Sequence, residues 1–139
     1  MPYTFTPKEK HAKAYSTLFI SSKSAKILCR VINKKKLSTA RRLLSDLVAK
    51  KRDLDRKYHS TAADEIAKLI KSCEKNADAL GLDMGNLFVY ASSSVGPNMR
   101  RGRRKTDFGH RMKVTNVGIF LVEKGKAEKK VGKKEKSLE

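Results

Sequence analysis

Five arginines and two lysines, Arg100, Arg101, Arg103, Arg104, Arg111, Lys105 and Lys113, fall between Gly96 and Lys113 against a single acid, Asp107. Guanidinium groups make bidentate, charge-assisted hydrogen bonds to phosphate and stack flat on bases, so clustered arginine suits irregular RNA better than a smooth anionic membrane. A merely solvated loop would mix charge signs, and this one does not. The same stretch holds a second chemistry: His110, with Lys105 and Asp107 beside it, has the residue types for acid/base cleavage of RNA, imidazole being the side chain most often used for such proton transfer. That work needs groups fixed within about 3 Å of the proton they move, and a polar loop offers neither a rigid frame nor a second base.

Other chemistries find no support in the spacing. Two distant cysteines and the scattered His11, His59 and His110 make no metal-ligand pattern, and no cofactor is expected. Gly102 and Gly109 fit neither a phosphate-cradling P-loop nor a nucleophile elbow. Cys29 and Cys73 sit in helical patterns without a CxxC partner and read as small buried hydrophobes. His11 and His59 lie in polar connectors and read as plain surface residues. Asp64 and Glu65 read as partners of a helix dipole rather than as catalytic carboxylates.

The elements that must carry the basic stretch are set by periodicity. Residues 14–20 alternate and are rich in β-branched and aromatic types, which predicts a strand, with Ser21 and Ser22 as N-caps for the first helix. Ala25, Leu28, Cys29 and Ile32 form one stripe of that helix, with Lys23, Lys26 and Arg30 elsewhere on it. "NKKK" interrupts it. A second helix starts near Ser38 and ends around residues 50–52, with Leu37, Ala40, Leu44 and Leu47 in phase and Leu43 and Val48 widening the stripe. After the polar connector "KRDLDRKYHS", Thr61 and Asp64 have the form of a capping box. Ala63, Ile66, Ile70, Cys73, Ala77 and Leu80 then recur at alternating spacings of three and four up to Gly81, a left-handed stop. Two further alternating runs, 87–92 and 117–122, should pair as strands. The 24 residues between them, 93–116, are then the far end of a hairpin whose arms reach about 50–60 Å at about 3.3 Å per residue. A globular part of such a chain has a radius of gyration of only about 13 Å, so the tip must project.

Length and charge set the outer limits. At 139 residues the chain fits one domain with a modest core. A net charge of +19 is a self-repulsion that points to a polyanionic partner. No run approaches the roughly 20 apolar residues that span a bilayer, the basic residues are not gathered on one amphipathic helix, and no secretory signal opens the sequence. The expected plan is a flexible leader over 1–13, one RNA-binding domain over 14–123 with the extended hairpin at 93–116, and a disordered Lys-rich tail over 124–139.

Several local strings resemble the large-subunit ribosomal protein family twenty-two, called seventeen in eukaryotic naming. Ile20, Ser21, Lys23, Ala25 and Lys26 fit its I-S-x-K-x-A-K opening of the first helix, with Ser22 where the family often has Pro. Ala40 and Leu44 fit its second helix. "IAKLIKSCEKNADALGLD", residues 66–83, is similar to its long helix, and Leu87 and Val89 come next in phase. Gly96, Pro97, Met99, Arg100 and Arg101 resemble the G-P-x-[LM]-[KR]-R start of its hairpin, and "VGIFLVE" its return strand. Near the tip, where the family shows R-A-x-G-R, this chain has "KTDFGHR", and only Gly109 and Arg111 match.

The resemblance implies an α+β fold, three helices packed on a small antiparallel three-stranded sheet with a long projecting basic β-hairpin. It implies a non-enzymatic constituent of the cytoplasmic large ribosomal subunit that binds ribosomal RNA, supports subunit assembly and extends its hairpin toward the nascent-peptide exit tunnel. Neighbouring large-subunit proteins and the nascent polypeptide are the further partners; no membrane and no homo-oligomer are expected. The residues expected to meet RNA are Lys23, Lys26, Arg30, Lys34, Lys35, Lys36, Arg100, Arg101, Arg103, Arg104, Lys105, His110, Arg111 and Lys113. The tip facing the tunnel would comprise Arg103, Arg104, Lys105, Thr106, Asp107, Phe108 and Gly109. The competing readings are a sequence-tolerant DNA or chromatin binder with a basic arm and a small ribonuclease. For a DNA reader Asp64 and Glu65 are badly placed, since at the start of the longest helix they repel phosphate.

Overall fold

The computed structural model describes residues 7–103 and 105–124, the side chain of Lys105 excepted. The order is β1 (His11–Leu18), α1 (Ser22–Ile32), β2 (Lys35–Lys36), α2 (Leu37–Val48), α3 (Ser60–Ala79), β3 (Leu87–Val95) and β4 (Thr115–Glu123), with short 3-10 turns at Met84–Asn86 and Lys105–Asp107. The sheet is antiparallel in the order β1-β4-β3-β2, so the α+β class expected from sequence is what the chain adopts. The expected three strands are four. Lys34 turns the chain with φ 61° and donates its N–H to Val89 O at 2.7 Å, and Lys35 and Lys36 then pair with Val89 and Phe88 before α2 begins. Two lysines on an edge carry no periodic signal, and lysine at an edge discourages pairing with other chains.

Strand alternation sorts the core. Ala12 and Ala14, Leu87 and Val89, and Val117, Ile119 and Leu121 are buried with the helical stripes of α1, α2 and α3 in one cluster. On the other face of the sheet Phe120 and Val122 are also buried, the His11 ring lies 5.9 Å from that of Phe120, and the Lys124 ammonium sits 4.8 Å from the Phe88 ring. His11 therefore opens β1, three residues earlier than expected, and is no plain surface residue.

The helix ends show where local pattern and outcome part. Gly81 (φ 67°) is the expected stop: its N–H bonds Asp78 O at 3.0 Å while Leu82 N–H reaches Ala77 O at 3.1 Å, a Schellman motif with Leu82 buried behind it. That motif turns Leu80 outward, 62% exposed, so Leu82 replaces it in the core. Val48, in the last turn of α2, is likewise exposed. The capping box does not form, because α3 already starts at Ser60 and Thr61 lies within its first turn. Asp64 and Glu65 instead hold Lys68 at 2.9 and 2.8 Å. Ser21 occupies the N-cap position of α1 without a side-chain cap bond. Between α2 and α3, the largely exposed Arg41 donates from Nε and Nη2 to the two carboxylate oxygens of buried Glu74, which raises its own pKa further.

Candidate nucleic-acid interface

The hairpin is built outward from the sheet. Register is continuous from Leu87 opposite Glu123 to Val95 opposite Thr115, and the next bond, Gly96 N–H to Val114 O, is 3.0 Å. Gly96 is required there, since a Cβ would sit 2.8 Å from Val114 Cγ1 and 2.9 Å from the Val114 backbone. Pairing resumes with Met112 N–H to Met99 O at 2.8 Å and Arg101 N–H to His110 O at 2.9 Å. Pro97 and Asn98 thus face Lys113 alone, two residues against one, which is a β-bulge with proline at the position that needs no donor. Thr115, fully buried, anchors the base of the return arm: its hydroxyl donates to Ile20 O at 2.9 Å and lies 3.0 Å from Ser22 Oγ, tying the arm to the start of α1.

Beyond the bulge, Arg100 stands opposite Arg111 as an isolated bridge flanked by those two backbone bonds, the close, non-hydrogen-bonded kind of pair. Like charges set opposite each other oppose pairing unless an anion joins them. The only acid in this arm, Asp107, is taken by Arg101 Nη1 at 2.7 Å. The tip closes through a 3-10 turn and Gly109 (φ 76°), whose N–H bonds Arg101 O at 3.0 Å and whose carbonyl accepts from Arg100 Nη1 at 3.4 Å. Arg100, Arg101, Arg103, Thr106, Asp107, Phe108, His110 and Arg111 are exposed; Arg104 and the Lys105 side chain lie outside the described residues. The Asp107 carboxylate therefore meets Arg101, and His110 meets Asp107 only through a backbone bond of 3.3 Å.

The remaining expected residues fall into two places. Lys23, Lys26 and Arg30 line the exposed face of α1, and Lys34 and Lys36 are exposed at the β2 edge with Lys35 half-buried between them. Lys23 joins Arg111 and Lys113 in a groove of about 480 Å³ at the hairpin base, floored by Val95, Pro97 and Val114. No acid lines that groove, and from Lys10 to Ser45 the sequence contains none.

Sequence reasoning missed a neighbouring cavity that shares Ser21 and Lys113 with this groove and adds Phe19, Lys50, Lys57, Tyr58 and His59. Its residues are scattered between the end of β1 and the α2–α3 connector, and only the fold brings them together. His59, expected on the plain surface, is half-buried there, its Nδ1 2.9 Å from Ser24 Oγ. Elsewhere, a groove between α2 and α3 mixes Asp64, Glu74 and Asp78 with Arg41, Lys71 and Lys75 and lacks this one-signed character. No helix among the described residues is long and apolar enough to cross a membrane, and no cluster of ligating side chains there could hold a metal ion.

The family described as Ribosomal protein L22p/L17e matches residues 14–114. The large ribosomal subunit protein uL22 of Archaeoglobus fulgidus is 33% identical over 122 residues, covering 71% of this chain and 79% of that protein. Its namesake from Methanocella arvoryzae is 30% identical over 131 residues, covering 81% and 84%. The match spans all three helices and the hairpin residues 96–113, and the chain belongs to the Ribosomal protein L22p/L17e family.

Proposed function

We propose that this protein is a structural constituent of the cytoplasmic large ribosomal subunit, binding ribosomal RNA, supporting assembly and extending its hairpin toward the nascent-peptide exit tunnel. The observation that carries the reading is the arm itself. It is paired out to Arg101 and His110, sets Arg100 against Arg111, and has Asp107 as its one acid. An arm so charged is poorly matched to water alone and well matched to phosphates converging on it from more than one side. Lys23, Arg111 and Lys113 at its base, Lys26 and Arg30 along α1, and Lys34, Lys35 and Lys36 at the sheet edge would hold the body on the RNA surface. The segment 103–109 would reach furthest, toward the tunnel and the nascent polypeptide. The mixed-charge α2–α3 face is the one suited to neighbouring large-subunit proteins. The role is one of scaffolding rather than catalysis, which the engagement of Asp107 by Arg101 favours.

Sedimentation of cell lysate tests this. The protein should travel with the large subunit and leave it after ribonuclease treatment. Migration apart from ribosomal particles, or preference of the purified chain for duplex DNA over large-subunit ribosomal RNA at matched salt, would overturn the reading.

A further inference from the structure

The α2–α3 connector has an unusual backbone. Leu54 and Lys57 exchange backbone hydrogen bonds of 2.8 and 2.9 Å around Asp55 and Arg56, whose φ values of 48° and 61° make a type I′ turn without the usual asparagine or glycine. Lys50 (φ 56°) and His59 (φ 48°) are also left-handed, so the segment is held in one specific shape. That shape places Lys57 and Tyr58 across from Phe19, which leaves the end of β1 just before the buried Ile20. Phe19 is 62% and Tyr58 46% exposed, and both line a cavity of about 600 Å³ with Lys50, Lys57 and Lys113 and no acid.

We propose that this cavity takes one unstacked nucleotide of the ribosomal RNA, its base against Phe19 and Tyr58 and its phosphate held by Lys50, Lys57 and Lys113. The inference rests on the ribosomal RNA reading above and adds to it a site that the hairpin does not supply. Three observations converge. The volume lies within the range of small-ligand pockets. Aromatic faces beside cations are how proteins hold unpaired bases of RNA, stacking and phosphate contact being supplied together. The cavity also adjoins the groove at the hairpin base, sharing Ser21 and Lys113 with it, so one RNA strand could engage both. His59 lines the same wall, and its Nε2 is the one buried side-chain nitrogen or oxygen without a partner among the described residues. An acidic peptide would satisfy the lysines but leave the two aromatic faces unused.

The test is ultraviolet cross-linking of the full chain to large-subunit ribosomal RNA, read by mass spectrometry of the peptides. Adducts of a single nucleotide on the peptides carrying Phe19 or Tyr58 are expected. The double variant Phe19→Ala/Tyr58→Ala should lose them and bind about tenfold more weakly with its salt dependence unchanged, because stacking and not charge has been removed. Lys50→Gln/Lys57→Gln should flatten the slope of log affinity against log salt by about 0.7, the value for one phosphate of a single strand. All four side chains are exposed, so an unchanged helical circular-dichroism signal is expected in both variants. Ribosomal RNA binding with adducts confined to the hairpin and full affinity in both variants would overturn the pocket and leave the hairpin reading standing. Failure of the parent chain to bind ribosomal RNA would overturn both. If Lys50 and Lys57 in isolated subunits stay protected from acetylation after complete ribonuclease digestion, the occupant is a protein and the proposal falls.

Discussion

Gly96 is a residue whose side chain matters by its absence. Gly96→Ala must push the arms apart against the Val114 backbone, so a loss of about 1–3 kcal/mol is expected by urea denaturation, with faster hydrogen exchange of the arm beyond it. Thr115→Val keeps the shape but strips Ile20 O and Ser22 Oγ of their partner, at a cost of about 1–2 kcal/mol. The two cysteines make a prediction with a sign. Burial pushes the Cys29 thiol up to about 11 and the Cys73 thiol up to about 12 from an ordinary 9.0. Both are therefore protonated in the fold well above the pH at which the unfolded chain loses its thiol protons. Their stabilisation is whole below pH 9 and drains away as pH rises toward 11 and 12. Neither should react with a disulfide reagent at pH 8 until denaturant is added. The burial of both was legible from the stripes they occupy, as was the glycine in its family string. The partners of Thr115 and His59 were not, because those bonds join residues 95 and 35 positions apart.

Among elements, α3 separates what periodicity can and cannot see. Ile70 is 1% exposed, and Ile70→Ala should cost about 2–5 kcal/mol; Leu80→Ala, from the same apparent stripe, should change stability by less than about 0.5 kcal/mol in the same denaturation assay. The stripe reads correctly until the Schellman turn, where the left-handed glycine breaks the phase and hands the core position to Leu82. The pair joining α2 to α3 is a second test. Arg41→Ala strands a buried carboxylate and should cost about 1–3 kcal/mol, moderated because Arg41 is half open to water, whereas Arg41→Met/Glu74→Leu together should recover most of it. Long amphipathic helices and alternating strands announced themselves in sequence. The two-residue β2, preceded by a left-handed lysine, and the shape of the α2–α3 connector, legible in sequence only as polar, did not, since non-glycine residues at positive φ leave no compositional mark.

Over the whole molecule, charge is sorted by layer. Eight of the fourteen acids lie on α2, α3 and the loops beside them, between Asp46 and Asp83, while α1, β2 and the stretch 96–113 carry cations and Asp107 alone. Changing Arg100, Arg101, Arg103 and Arg104 together to Ala should leave the helical signal intact, because the first three are exposed and none of the four falls on an apolar stripe of the sequence, yet flatten the salt dependence of ribosomal RNA binding by about 3 for four phosphates. The fold class, the hairpin and its charge could be read from the sequence; the grooves at the hairpin base and beside it could not, being made by residues far apart in the chain. The bulge at Pro97 and Asn98 is the one break in an otherwise regular ladder, carrying the register from Val95 opposite Thr115 to Arg100 opposite Arg111. A bulge bends its strand and adds local right-handed twist, so it acts as a fixed elbow between body and tip. Deleting one of its two residues would restore a plain ladder and leave Arg100 facing Arg111, with composition almost untouched. What would change is direction: the far end of the arm would swing away from the line the elbow gives it.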